Sequence, residues 1–254
     1  MRNGWGHHLL GVCAMLLGIA SLIWRQVPMG HAQRVLGTGF LYELVLYVTA
    51  IVLIAAGVCI QIRRTRRLSA VSIAAVFTLF AILGVLESAA AGAISTSWIE
   101  LFETLGTVSG ALIVVARTSD PPNTRLARGA MMLFGVSVVT YALAQIVYFT
   151  YTASLVPKWI PPGQTFWTVL TTIAFALAAV AILTGRYNLP AAQLLALMLA
   201  IFGLTIWVPA VMVHPAALSN WTELTTNFGI CAAAWIIAEW LRENATMTSA
   251  LAAL

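Results

Sequence analysis

Long apolar runs separated by short polar segments constrain this chain more than any other feature of its sequence. A helix needs about 20 apolar residues to cross the hydrocarbon core of a bilayer. Hydrophobic residues make up 61% of the 254 residues, whereas charged residues make up only 8%. So few charges are too few to cover the surface of a soluble domain of this length. The sequence therefore predicts a protein that crosses a membrane several times.

The apolar runs are predicted to be helices, because backbone polar groups inside a bilayer must be satisfied within the segment that carries them. A transmembrane barrel would instead show alternating segments of about ten residues, and these runs are longer and continuous. We expect an all-α polytopic membrane protein with about eight transmembrane helices. The predicted spans are 5–24, 40–62, 68–90, 98–116, 129–151, 165–184, 190–213 and 221–241.

The basic residues are divided unequally between the two sets of connecting segments. One set, which includes both chain ends, carries Arg2, Arg63, Arg64, Arg66, Arg67, Arg117, Arg125, Arg128, Arg186 and Arg242. The other set carries Arg25, Arg34 and Lys158. Basic residues flanking transmembrane helices favour the cytoplasmic side. The pattern predicts a cytoplasmic N-terminus and a cytoplasmic C-terminus, which agrees with an even number of spans.

The two halves of the chain share short matches at an offset of about 123 to 124 residues. The clearest match pairs the Trp-x-Glu-Leu that begins at Trp98 with the one that begins at Trp221, and Gly11-Val12 pairs with Gly135-Val136. Each half has four spans and enters the membrane from the same side, which predicts a parallel repeat related by an axis along the membrane normal. The predicted units are a first four-helix repeat (1–116), a cytoplasmic linker (117–128) and a second four-helix repeat with a short tail (129–254).

The second half carries a loop motif between its first two helices. It reads Val156-Pro157-Lys158-Trp159-Ile160-Pro161, followed by Phe166-Trp167. A His214-Pro215 pair ends the third helix, and Trp221 opens the fourth. Over about residues 129–241 the chain resembles the DoxX-like family of small four-helix membrane proteins, and the first half resembles a degenerate copy. Where the family usually has a His-Phe pair late in its first helix, this chain has Tyr148-Phe149.

The resemblance implies a multi-pass protein of the plasma (inner) membrane. Some relatives are linked to quinone-dependent sulfur oxidation or to membrane oxidoreductase assemblies, and many have no assigned activity. The resemblance therefore implies an accessory or non-catalytic subunit beside a membrane complex, and it implies no catalytic residue here.

Acidic residues near the predicted outer ends of spans form the candidate site. The members of this outer-side polar cluster are Glu43, Glu87, Glu100, Glu103 and Glu223, with Arg25, Arg34 or Lys158 as counter-charges. An ionisable group within a span is a functional candidate because it is costly to place there. Two simpler explanations stay open. Glu87 would mark the outer interface, and the acids that open the last helices would be favoured by the helix dipole.

The sequence predicts no metal site, no haem and no nucleic-acid partner. Cys13, Cys59 and Cys231 lie in apolar runs without CxxC spacing, which is typical of thiols that act as small hydrophobes. The histidines fall near span ends, and a membrane haem needs axial ligands at depth. Basic residues serve orientation, and no aromatic-lined basic groove offers a place for nucleic acid. The expected partners are membrane lipid and a membrane-complex protein.

Three functions are consistent with these features. The first is the accessory subunit. The second is a quinone-interacting oxidoreductase component, in which an apolar slot with a few polar groups would hold the quinone; the candidate groups are Glu43, Glu87, Tyr42, Tyr47 and Tyr148. The third is a small-molecule transporter, although Pro209 in span seven has no proline counterpart in the first half.

Overall fold

A computed structural model describes residues 4–28, 31–91 and 97–251. The regular structure in these ranges is helical throughout. In chain order the α-helices are α1 (Gly6–Trp24), α2 (His31–Leu36), α3 (Phe40–Cys59), α4 (Arg66–Ala91), α5 (Ser97–Arg117), α6 (Thr124–Val147), α7 (Phe149–Leu155), α8 (Gln164–Thr184), α9 (Asn188–Phe202), α10 (Val208–Val213) and α11 (Leu218–Leu251).

Eight of the described segments are long and apolar enough to cross a membrane. Seven are single helices, and the eighth is the continuous stretch from α9 through α10. The predicted fold class is therefore confirmed, and the chain is an integral, multi-pass membrane protein. The short helices α2 and α7 lie outside these spans, in two of the connecting segments.

The segment between the fourth and fifth spans is shorter than the predicted linker 117–128. Helix α5 continues through Arg117, and α6 begins at Thr124. The side chain of Asn123 accepts a hydrogen bond from the backbone N–H of Leu126 at 2.9 Å, which satisfies one of the N–H groups that a helix start leaves open. Because of this N-cap, α6 begins at Thr124, several residues before the predicted span 129–151.

Helix packing links the two halves of the chain reciprocally. Within the first half α1 packs on α3, α3 on α4 and α4 on α5; within the second half α6 packs on α8, α8 on α9 and α9 on α11. Between the halves, α11 packs on α1 and α5 packs on α6, while α5 and α11 also pack on each other. The last long helix of each half thus rests on the first long helix of the other.

Some close contacts join residues in the way that a parallel repeat requires. A Cβ on Gly110 would lie 2.7 Å from Cα of Ala233, and these two positions are separated by the repeat offset. A residue on a twofold axis contacts its own counterpart, so this pair fits an axis between α5 and α11. Likewise Gly11 lies against Ile60 as Gly135 lies against Leu183. The repeat and its domain bounds stay predictions.

The two ends of the bundle differ in charge, and we name them by that difference. The arginine face is the end at which α1 begins, and it includes the 60–65 turn and the 118–123 loop. Gln61 bonds to the backbone carbonyl of His8 there. The opposite face includes the 25–28 segment and the 214–217 loop, where the Trp24 indole donates to the carbonyl of Ala216 at 2.8 Å.

The seventh span is not one regular helix. A π-helical turn at Gly203–Trp207 separates α9 from α10. Pro209 lies just beyond it, and a proline inside a helix removes one N–H donor and crowds a carbonyl in the preceding turn. A π turn widens the backbone at such a place. The matching span of the first half, α4, runs unbroken from Arg66 to Ala91.

Helix α11 lies at the centre of the bundle, and α8 and α9 lie at its edge. In the apolar stretch of α11, 72% of the residues are buried inside the protein. In the apolar stretches of α8 and of the α9–α10 span, only 28% of the residues are buried. The edge helices expose apolar side chains such as Ile173, Leu177, Leu194 and Leu197. In an integral membrane protein these side chains face lipid or another membrane protein.

Candidate functional site

The candidate site lies where α5 and α11 approach each other, which we call the seam. Small residues form this contact: Gly110 lies against Ala233, and a Cβ on Gly229 would lie 3.1 Å from Oγ1 of Thr107. Small residues let two helix backbones come close in a membrane, where apolar side chains alone provide little driving force. The close approach therefore brings side chains near the start of α5 next to side chains near the start of α11.

Three of the five predicted acids meet at the seam, toward the opposite face. Glu103 is within electrostatic reach of Glu223 and Glu100, and Glu223 is within reach of Glu100. All three side chains are half-buried and lie inside candidate spans. Glu100 and Glu223 are separated by the repeat offset. We call Glu100, Glu103 and Glu223 the seam acids.

Two of the seam acids have no compensating charge in the part of the chain that the structure describes. Among the described side chains, none donates a hydrogen bond to the carboxylate of Glu103 or Glu223 or forms an ion pair with it. Of the expected counter-charges, Arg34 pairs with Glu87 instead. Like charges so close together in a low-dielectric site repel each other strongly unless a cation joins them or a proton neutralises one of them. A positively charged group bound beside the two carboxylates would relieve this repulsion.

Two tyrosines that the sequence did not single out for this site border the seam acids. The hydroxyl of Tyr141, on α6, donates to the backbone carbonyl of Phe102 at 3.0 Å. On α7, Tyr151 is mostly exposed, and its partial burial together with the nearby Glu223 and Glu103 carboxylates raises its pKa. The Tyr151 phenol of α7 is thus within electrostatic reach of Glu103 and Glu223. No sequence pattern distinguishes Tyr151 from the chain's other tyrosines, because the docking of α7 decides its position.

The remaining two predicted acids lie elsewhere. Glu87, near the end of α4, is buried and forms an ion pair with Arg34 of α2. Glu43 is exposed in the first turn of α3, a helix that packs on α1 and α4. The five acids therefore do not form one cluster.

The helix dipole explains one seam acid and not the other two. Glu100 lies in the first turn of α5, where the dipole favours a negative charge. Glu103 lies one turn further along α5. Helix α11 begins at Leu218, so Glu223 is also beyond its first turn. The effect falls off within one turn, so it does not account for Glu103 or Glu223.

Two of the residues considered for a quinone are used in internal contacts. The Tyr42 hydroxyl accepts a hydrogen bond from the backbone N–H of Val27 at 3.1 Å, and Glu87 holds Arg34. Tyr47 is exposed on α3, and Tyr148 ends α6. Helices α3 and α6 belong to different halves, and neither packs on the other among the principal helix contacts of the described residues.

Acidic residues at the arginine face have a structural task. Oε1 of Glu239 accepts from the backbone N–H of Trp5 at 2.7 Å and of Gly6 at 3.1 Å, which caps the start of α1. Its Oε2 accepts from Arg117 at 3.2 Å, and Arg117 also binds Glu243. Glu239 therefore ties α1, α5 and α11 together.

No protein-family model, no curated protein and no solved structure matches this chain. The resemblance to the DoxX-like family therefore stays a prediction that rests on the loop motif around Trp159 and on Trp221.

Proposed function

We propose that this chain is a non-catalytic subunit of a plasma-membrane complex and that its seam acids bind a basic side chain of a partner protein. The single observation that supports this is the pair of carboxylates, Glu103 and Glu223, which lie within electrostatic reach of each other on the two seam helices. Neither has a counter-charge among the described side chains. A carboxylate inside a span is energetically costly, so its presence there indicates a function. A lysine or arginine of a partner would pair with them.

The chemistry of the cluster favours an organic cation over a metal ion. No group of three or more His, Cys, Asp and Glu residues in the described ranges is arranged to hold a metal ion. A guanidinium or ammonium group is larger, donates several directed hydrogen bonds and is well matched to spaced carboxylates. The exposed phenol of Tyr151 offers a ring on which such a cation stacks.

The lipid-facing side of the second half would complete the contact. The edge helices α8 and α9 present apolar side chains inside the bilayer, for example Leu170, Ile173 and Leu194. A membrane partner whose basic residue reaches the seam from the opposite face would cover part of this surface. We further propose that the chain is DoxX-like and that its arginine face is cytoplasmic.

Charge-neutralising substitutions test this function. We would purify the wild-type chain from its own membrane in mild detergent, alongside Glu103→Gln/Glu223→Gln and the exposed control Glu43→Gln. We expect a protein partner at a fixed ratio with the wild type and with the control. The double substitution should lose it. Equal recovery of the partner with all three chains would contradict the proposal.

A transporter is the second candidate, because the seventh span is interrupted by the π-helical turn at Gly203–Trp207. Interrupted helices line binding sites in many transporters. The side chain of Asn227, which is buried on α11, donates to the carbonyl of Leu199 beside this turn at 2.9 Å. A small organic cation that copurifies with the wild type in place of a protein, and is lost with Glu103→Gln/Glu223→Gln, would favour this function.

A further inference from the structure

A buried amide between α6 and α8 is bonded at one end only. Gln145, on α6, is 9% exposed. Its Oε1 accepts a hydrogen bond from the hydroxyl of Thr171 at 3.1 Å and from that of Thr172 at 2.8 Å, both on α8. No described residue accepts a hydrogen bond from its Nε2. Gln145 therefore offers two N–H donors that the described part of the chain does not use.

The unpaired nitrogen of Gln145 is reachable from outside the protein. Among the described residues, the one fully buried side-chain nitrogen or oxygen without a hydrogen-bond partner is Nε2 of His7. Nε2 of Gln145 also has no described partner, so it keeps some accessible surface. The opening is narrow, because the side chain as a whole is nine-tenths buried. It suits a single small acceptor group rather than a broad surface such as another helix.

The surroundings hold the amide of Gln145 in place. The two threonine hydroxyls that contact its Oε1 also lie 3.2 and 2.7 Å from the backbone carbonyl of Thr168, which is fully buried. One turn deeper, the rings of Tyr141 on α6 and Phe175 on α8 meet edge to face, 5.8 Å apart centre to centre. This ring pair fills the space between the two helices below the amide. The Nε2 end therefore points away from the threonines and lies above a closed floor.

The amide lies just below the membrane surface at the opposite face. Trp167, near the start of α8, donates from its indole to the carbonyl of Pro161 in the preceding segment at 3.0 Å. Tryptophans at the end of a span mark the membrane–water interface. Thr171 is one turn further along α8, about 6 Å deeper. The ester carbonyls of a glycerolipid lie at this depth, where the head groups give way to the hydrocarbon core.

Apolar side chains flank the amide on both helices. Ile146, next to Gln145, and Leu170, next to Thr171, are both exposed. Side chains exposed within a span face lipid, and an N–H group left unpaired beside lipid is costly because no water is there to accept from it. A ligand for Gln145 therefore has to be soluble in the bilayer and has to carry a hydrogen-bond acceptor.

We infer that Gln145 donates a hydrogen bond from Nε2 to the ester carbonyl of a glycerolipid in the leaflet at the opposite face. The lipid head group lies at the level of Trp167, and the acyl chain runs along Ile146 and Leu170. The site needs no charged residue and uses none of the seam acids. It goes beyond the proposed function and is independent of it.

Competition between ester-linked and ether-linked lipids tests this inference. The chain would be reconstituted with equal amounts of a diacyl and a dialkyl phosphatidylcholine, which differ only in the ester carbonyls, and then released into detergent for native mass spectrometry. We expect the wild type to retain the diacyl lipid about fivefold over the dialkyl lipid, as for one hydrogen bond. Gln145→Leu, which keeps the size and removes the donor, should retain both lipids equally.

Gln164→Leu is the matched control. Gln164 lies on α8 in the same part of the bundle, and its Nε2 already donates to the carbonyl of Val156 at 2.7 Å. This variant loses an amide that is used inside the protein, so it should keep the wild-type preference for the diacyl lipid. Loss of the preference in both variants would mean that any disturbance of α6 and α8 abolishes it, and would overturn the role of Gln145.

The wild-type result is decisive by itself, whether or not Gln145→Leu folds. If the wild type showed no preference for the diacyl lipid, or if Gln145→Leu kept that preference, the glycerolipid site would be overturned. An isoprenoid quinone also carries carbonyl acceptors. A quinone that copurifies with the wild type from its own membrane and is lost with Gln145→Leu, without any preference for the diacyl lipid, would keep a carbonyl site and overturn the glycerolipid as its ligand.

Discussion

At the scale of single residues, some carboxylates inside the spans pair with an arginine and others have no such partner among the described side chains. Glu87 and Glu239 each have a described cationic partner, Arg34 and Arg117 respectively. Glu103 and Glu223 have none among the described side chains, although they lie in the same kind of environment. Burial alone therefore does not distinguish the two pairs of acids, whereas the presence or absence of a described cationic partner does.

Tyr151 reports on the seam acids. Its pKa is raised, because partial burial and the carboxylates of Glu223 and Glu103 disfavour a phenolate beside them. We expect Glu223→Gln to lower the pKa of Tyr151 toward the ordinary value of about 10, and Glu43→Gln to leave it unchanged. Ultraviolet difference titration against Tyr151→Phe measures this. Because the folded-state pKa is raised, the stability that Tyr151 contributes is present below its ordinary pKa and is lost as the pH rises through the folded value. If the pKa of Tyr151 did not change with Glu223→Gln, Tyr151 would not be close to the seam acids.

Substitution of Glu239 should destabilise the fold. Glu239→Ala removes the cap of α1 and leaves Arg117 with fewer partners. We expect a loss of about 2 kcal/mol in the free energy of unfolding, as for a charged hydrogen-bond partner removed from a partly buried site. Denaturation in mixed micelles measures it. Glu43→Ala, an exposed acid in the first turn of α3, should change stability by less than about 0.5 kcal/mol. Equal effects would mean that Glu239 is only a surface charge.

At the scale of helices, close approach at the seam is what places the acids together. Gly110 has no room for a Cβ against Ala233, whereas Gly129, near the start of α6, has open space around its Cα. Both are helical glycines, so alanine gains the same intrinsic helix preference at each position. The comparison isolates the effect of the contact between α5 and α11.

Alanine at the two glycines should therefore have opposite effects. Gly110→Ala forces α5 and α11 apart and should lower the free energy of unfolding by about 1–3 kcal/mol. Gly129→Ala should leave it unchanged or raise it by up to about 1 kcal/mol. Apparent melting temperatures in detergent distinguish them. If Gly110→Ala proved as stable as Gly129→Ala, the seam would be looser than the structure indicates.

The sequence predicted the helices much better than their contacts. Apolar length is a local property, so every span was found, and the errors lie where polar residues extend a helix, as at the Asn123 cap of α6. The π-helical turn before Pro209 was missed, because continuous hydrophobicity hides a change in backbone hydrogen bonding. The split of the five acids was also missed. It depends on which helix packs on which, and a run of apolar residues carries little information about its neighbours.

At the scale of the whole molecule, the described part of the chain is a bundle with one basic end, and Glu103 and Glu223 lie toward the other end. The distribution of arginines predicts that the basic end is cytoplasmic. The opposite end would then face away from the cytoplasm, and a partner would reach the seam acids from that side or from within the bilayer.

Labelling of single cysteines tests this orientation. Asp120 lies in the 118–123 loop and Ser154 lies in α7, and both are exposed. With Cys13, Cys59 and Cys231 replaced by alanine, we expect a membrane-impermeant maleimide to label Ser154→Cys on intact cells. Asp120→Cys should be labelled only after permeabilisation. The reverse pattern would mean that the protein is inserted the other way round. Labelling of both positions on intact cells would contradict the single span, α6, that separates them.

The most direct test of the central claim is photo-crosslinking in the native membrane from position 151, which is within electrostatic reach of Glu103 and Glu223. A photoreactive phenylalanine analogue in place of Tyr151 lies within reach of whatever binds Glu103 and Glu223. We expect one discrete protein adduct that disappears with Glu103→Gln/Glu223→Gln and persists with Glu43→Gln. An adduct that forms equally well without the two carboxylates, or crosslinks to lipid alone, would contradict the claim that these acids bind a partner.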